Sequence, residues 1–161
     1  MLESILAKLN PDESVWVKRE LSKNPYRREE MVSLLLNVGN TGFGHKWDGQ
    51  GPFESTCGKV FDYLEYKTSQ AKTYNGVLKF HDYPKEKTFD WIEDNVMLMY
   101  ATFADGEIEC VIGIAPTINN IMQPWVMQLA NQVALGVSSP TISRPEWEES
   151  AVCLEHFTGE F

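Results

Sequence analysis

The sequence predicts an α+β (mixed α/β) domain with a central mixed β-sheet flanked by helices. Three observations point there. Helical patterns fill the first 38 residues, strand patterns begin only near residue 59, and strands mixed with helices then run to the end. The 161 residues suit one domain with a real core. No repeat, low-complexity tract or linker divides the chain, so residues 1–161 are expected to form a single unit.

Each element follows from local chemistry. Residues 2–9 form a short helix by pattern. Asn10-Pro11-Asp12 is a break with an N-cap, and a second helix is expected over 12–22. Asn24-Pro25 breaks the chain again. Residues 26–38, YRREEMVSLLLNV, place Met31, Val32, Leu34, Leu35, Leu36 and Val38 at spacings that bury one helix face. Residues 39–58 carry Gly39, Gly42, Gly44, Gly49, Gly51 and Gly58, and predict a long loop leading to a strand at 59–68. A short apolar piece follows at 77–80. Pro84 then opens a helix over 85–94, proline being tolerated in a first turn. VMLMYATF (96–103) and EIECVIGI (107–114) are strands joined by a hairpin turn at Ala104-Asp105-Gly106. A helix near 119–132 and a strand near 151–156 complete the order.

Charge narrows the function. With 14 basic and 23 acidic residues, the formal balance is −9, which argues against nucleic-acid binding driven by net charge alone. The positive charge is unevenly placed: Lys59, Lys67, Lys72, Lys79, Lys85 and Lys87 fall in one central segment. They form either a local basic groove or a solvated face. Cys57, Cys110 and Cys153 are odd in number and widely spaced, which argues against zinc and against a disulfide framework. There is no signal peptide pattern, and the longest apolar run is far short of a membrane span. A cytoplasmic protein is expected. No Ser-His-Asp or Cys-His grouping and no phosphate-cradling loop is present.

The stretch GKVFDYLEYKTSQ (58–70) carries the chemistry. Side chains alternate along a strand, so Glu65 and Lys67 point the same way from an otherwise apolar run. Charges in such a place face water, pair, or bind something. An acid and a lysine two apart, with a further acid nearby, form a minimal phosphodiester hydrolysis site. The carboxylates hold Mg²⁺, and the lysine orients a water or offsets charge. The plainer alternative is an exposed salt bridge, worth roughly 0–1 kcal/mol.

The first acid has two candidates. If 55–58 form a tight turn, Asp48 lies opposite Glu65, while Glu54 lies some 20 Å along the strand from it. Gly49-Gln50-Gly51-Pro52 is a poor strand, however, and an irregular loop would bring Glu54 in, so both remain candidates. Asp62 alternates to the opposite face. Glu29 or Glu30 is either a distal ligand or part of a solvated helix face. Thr68, Ser69 and Gln70 are hydrogen-bond donors to phosphate or a polar strand end. His81 and Asp82 could reach a base edge or phosphate, with Asn75 and Lys79 contributing in the same way. His45 with Lys46 could touch backbone from the glycine-rich loop.

With these residues in view, the chain resembles the PD-(D/E)XK nuclease superfamily, in particular small type II restriction endonucleases. The likeness runs from about residue 26 onward: an acidic loop, a strand ending YLEYKTS, a histidine-containing stretch, then VMLMYATF, EIECVIGI and VCLEHFTGEF. Its one chemically specific motif is EYK, and no Pro-Asp pair precedes the strand. The resemblance implies a restriction-endonuclease-like fold and Mg²⁺-dependent cleavage of double-stranded DNA. It makes Glu65 the second acid and Lys67 the lysine, and it implies DNA contact from the region around His81 and Asp82. Palindromic cutting would imply a homodimer, with the N-terminal helices as a dimerisation element. Two other functions fit the sequence. One is a structure-specific, repair or homing nuclease on the same scaffold. The other is a non-enzymatic acidic module that mimics DNA charge, motivated by the −9 balance.

Overall fold

A computed structural model describes residues 2–42, 44–70, 77–79, 90–91, 93–114, 141–143 and 154–157. Three helices come first: α1 (Leu2–Leu6), α2 (Pro11–Leu21) and α3 (Pro25–Leu35). Among the described residues eight strands follow: β1 (Gly39–Asn40), β2 (Gly49–Glu54), β3 (Val60–Gln70), β4 (Val77–Lys79), β5 (Val96–Ala104), β6 (Glu107–Ile114), β7 (Thr141–Ser143) and β8 (Leu154–Phe157). This is the mixed α+β class expected from the sequence.

Helix boundaries follow capping chemistry. The Asn10 side chain accepts from the Glu13 backbone N–H at 2.9 Å, and Glu13 accepts from the Asn10 N–H at 3.0 Å. This reciprocal pair, with Pro11 in the first turn, fixes the start of α2. Asn24 caps α3 through the Tyr26 N–H, again ahead of a proline. Helix α3 stops short of the expected residue 38 because Asn37 takes a left-handed φ of 55°.

Among the described residues the main sheet has six strands in the order β1-β2-β3-β5-β6-β8. Among the described residues only β3 and β5 pair in parallel in this sheet; its other neighbours are antiparallel. Strands β4 and β7 form a separate antiparallel pair. The glycine-rich segment is therefore not one long loop, because β1 and β2 lie within it. Pro52 is accommodated because the β2–β3 ladder is irregular between Gln50 and Phe53. The helix expected over 85–94 is described at Asp90, Trp91 and Glu93, which are helical, and at Asp94, which is in a turn. The helix expected near 119–132 lies outside the described residues. Cys57 is disulfide-bonded, where the odd number and wide spacing of the cysteines had argued against a disulfide framework.

Period two sorts β3 and β5 into faces. Leu64 and Tyr66, in register with Met97 and Met99, join Ala101 and Phe103 and pack with Met31 and Val32 of α3. Burying these apolar side chains is the main stabilising contribution, about 1.5–3 kcal/mol for each large one. Glu65 and Lys67 belong to the other face, in register with Leu98 and Tyr100.

The hairpin turn between β5 and β6 has Asp105 at φ 51° and Gly106 at φ 94°, the two positive values a tight hairpin needs. It docks on α2, where Lys18 Nζ meets Glu107 Oε1 at 3.0 Å. A Cβ on Gly106 would lie 2.4 Å from the Arg19 backbone N. Gly106→Ala is therefore expected to lower stability by about 2 kcal/mol, from left-handed strain and this clash together. Urea unfolding checks it, and an unchanged midpoint would mean the turn can move off α2.

Candidate active site

Asp48 precedes β2 directly. Because Gly49 pairs with Leu64, the next step of the ladder places Asp48 opposite Glu65. Its backbone N–H donates to the Leu64 carbonyl at 3.1 Å. Its Oδ2 accepts from the Tyr66 N–H at 2.8 Å, so the carboxylate is fastened to the edge of β3.

The loop before Asp48 is pinned at several points. Thr41 donates its hydroxyl to the Trp47 and Asp48 carbonyls. The Trp47 indole N–H donates to Asp94 Oδ2 at 2.8 Å, and Lys46 Nζ meets that oxygen at 2.6 Å and Asp90 at 3.0 Å. The hydrogen bond from Lys46, then that from Trp47, hold the Asp94 carboxyl below its usual range. A depressed carboxylate contributes stability above its unfolded pKa and loses it as pH falls through the folded value. Asp94→Asn is expected to abolish this acid-side contribution and to loosen the loop that carries Asp48. Denaturation below pH 4 would then differ less from that at pH 7 than in the wild type. An unchanged pH profile would remove Asp94 from this role.

Glu65 is 2 % exposed, although it is charged and sits on a sheet face. Lys67, with its side chain 27 % exposed, holds Glu65 Oε1 at 3.0 Å. This is not the exposed salt bridge of the plainer alternative. One partner is fully buried, and removing the other would leave a buried charge uncompensated. Strand periodicity brings the two side chains together, and the exposed end of the pair belongs to the lysine.

Glu29 of α3 enters the same electrostatic field. Burial first, then the Asp48 carboxylate, push its carboxyl up to about 7, Glu65 adding to the rise while Lys67 and Arg28 oppose it. Arg28, next to it, is anchored: its Nε donates to Thr68 Oγ1 at 2.9 Å and its NH1 to the Ser22 carbonyl at 2.7 Å. That anchor ties the first turn of α3 to the end of β3 and sets Glu29 beside Asp48. A cleft of about 290 Å³ opens there, lined by Tyr26, Glu29, Glu30, Asn40, His45 and Asp48 among others. The sequence left Glu29 between a distal ligand and a solvated face, and the structure places it with the acids.

Other expected site residues lie elsewhere. Glu54 pairs with Val60 at the far end of β2, five β3 residues from Glu65, or about 17 Å. The one-residue shift in the ladder moves it off the position opposite 59 but not toward the site. Asp62 accepts from Asn95 at 2.9 Å. Thr68, Ser69 and Gln70, read as either phosphate donors or a polar strand end, have internal partners: Arg28, the Tyr100 hydroxyl at 2.8 Å and the Ser22 carbonyl at 2.8 Å respectively. Thr68 and Gln70 secure the α2–α3 corner to β3, and Ser69 ties β3 to β5. Lys79 is on β4 opposite Thr141, its side chain outside the described residues. Asn75, His81 and Asp82 also lie outside the described residues.

The donor set suits Mg²⁺ in its chemistry. Asp48, Glu65 and Glu29 are hard oxygen donors whose mutual repulsion a divalent cation would relieve. Among the described residues no three carboxylate, histidine or cysteine side chains form a ready-made metal cage. Mg²⁺ does not need one, since it keeps several waters and takes one or two carboxylates plus substrate phosphate. Among the described residues no helix is long and apolar enough to cross a membrane. No family model matches the chain, and no curated protein matches its sequence.

Proposed function

We propose that the chain is a Mg²⁺-dependent endonuclease that hydrolyses phosphodiester bonds in double-stranded DNA at specific sequences. One observation carries this reading. Asp48 stands opposite Glu65 at the end of the β2–β3 ladder, with Lys67 on the same strand and Glu29 arriving from α3. The resemblance of the EYK strand and its context to restriction endonucleases points the same way.

Asp48 and Glu65 would hold Mg²⁺, with Glu29 as a further ligand. When bound, the ion neutralises charge on the phosphate oxygens and lowers the pKa of a water. The protein's own residues do the rest. The Tyr66 N–H orients Asp48, and the buried Glu65 fixes the Lys67 ammonium at the mouth of the site. From there Lys67 positions the attacking water and offsets the charge that develops at phosphorus. Cutting of a two-fold symmetric DNA site would need a homodimer, for which the N-terminal helices are the proposed contact. Cytoplasmic residence belongs to the same proposal.

The test is purified protein on a mixed-sequence plasmid, with Mg²⁺ or with EDTA. Discrete Mg²⁺-dependent fragments are expected, and their ends give the site. Preference for branched DNA would select a structure-specific nuclease instead. No cleavage of plasmid, branched or genomic DNA would favour the acidic binding module that the −9 balance suggests.

A further inference from the structure

A second cleft, of about 320 Å³, shares His45 with the first; Gln50, Tyr63, Lys46, Trp47 and Asp94 form much of its wall. Its lysine is already engaged, because Lys46 is held by both Asp90 and Asp94. Among the described residues its wall therefore offers a phosphate no lysine or arginine that is not already paired. What it offers is an aromatic ring, an imidazole and an exposed carboxamide, groups that suit a planar, uncharged partner rich in donors and acceptors.

The strands set the spacing. Gln50 and Tyr63 are direct cross-strand partners, so their side chains are neighbours on one face. Tyr63 and Glu65 are two residues apart on β3 and point the same way, about 7 Å from each other. A nucleotide spans such a gap, with its phosphate toward the acids and its base toward Tyr63.

We propose that this cleft is a nucleobase subsite in which Tyr63 stacks the base and Gln50 reads its edge. A glutamine carboxamide pairs best with adenine, donating to N7 and accepting from N6. The subsite makes Gln50 and Tyr63 specificity-determining residues. Placing the neighbouring phosphate at Asp48 and Glu65 rests on the nuclease reading; the base site itself does not.

The four deoxynucleosides, titrated singly into the intact chain in EDTA and followed by saturation-transfer NMR, test it without metal or cleavage. Deoxyadenosine is expected to bind most tightly. Gln50→Ala should weaken it by about tenfold and erase the preference for adenine. Tyr63→Ala should lose binding, and Tyr63→Phe, which keeps the ring and the packing, should retain it. Absence of saturable binding by any nucleoside, or wild-type binding by Gln50→Ala and Tyr63→Ala, would overturn the subsite. Binding without plasmid cleavage leaves the subsite standing and removes the nuclease reading; cleavage without nucleoside binding does the reverse.

Discussion

Lys67→Ala is expected to lower Mg²⁺-dependent cleavage by about 10²–10³-fold, the loss typical of removing one group that stabilises transition-state charge. The substitution has a second consequence that must be separated from the first. Glu65 is 2 % exposed and Lys67 Nζ lies 3.0 Å from its Oε1, so alanine strands a buried carboxylate. Stability is therefore expected to fall with activity. The double variant Glu65→Gln with Lys67→Met removes both charges at nearly constant volume. It should recover much of the stability and none of the activity. Cleavage rates at saturating Mg²⁺, read beside thermal melting of each variant, make the distinction. Wild-type cleavage by Lys67→Ala would take the lysine out of the chemistry and leave the pair as a structural bridge.

What was legible in the sequence was whatever depended on near neighbours. The EYK strand needed only alternation, and the hairpin needed only an Asp-Gly turn, which the structure places at φ 51° and 94°. The position of Asp48 came from counting across a turn. The count holds where it matters, at Gly49 opposite Leu64, although the ladder slips by one residue beyond Gln50. Local pattern left the answer open where a distant partner decides. Thr68, Ser69 and Gln70 have the composition of a phosphate-binding strand end. Their actual partners, Arg28, Tyr100 and Ser22, are 40, 31 and 48 residues away in sequence. No local pattern announces that a buried Ser22 carbonyl needs two donors. Likewise, Gly49-Gln50-Gly51-Pro52 has poor strand propensity, and β2 exists because β3 and β1 flank it on either side.

Glu29→Gln is expected to weaken Mg²⁺ binding by about 10–100-fold and to flatten its dependence on pH. The residue was within reach of the sequence: Glu29, Val32, Ser33 and Leu36 follow i, i+3, i+4, i+7, and the last three are buried. Helical spacing thus places Glu29 on the inward stripe rather than the solvated face. Burial and Asp48 raise its carboxyl from 4.5 to about 7. In the wild type, proton and cation compete for that group, so Mg²⁺ affinity should climb as pH rises through 7; glutamine has no proton to lose. The same shift fixes a sign for stability without metal. The folded chain binds a proton more tightly than the unfolded chain, so Glu29 lowers stability as pH rises from 4.5 to 7. In EDTA, Glu29→Gln should therefore be stabilised relative to wild type more at pH 8 than at pH 5. Added Mg²⁺ should narrow the pH 8 gap, because only the wild-type carboxylate gains from the ion. Urea titrations at the two pH values, with and without Mg²⁺, read all of this. A gap that is larger at pH 5 would mean that Glu29 is not held among the acids at all.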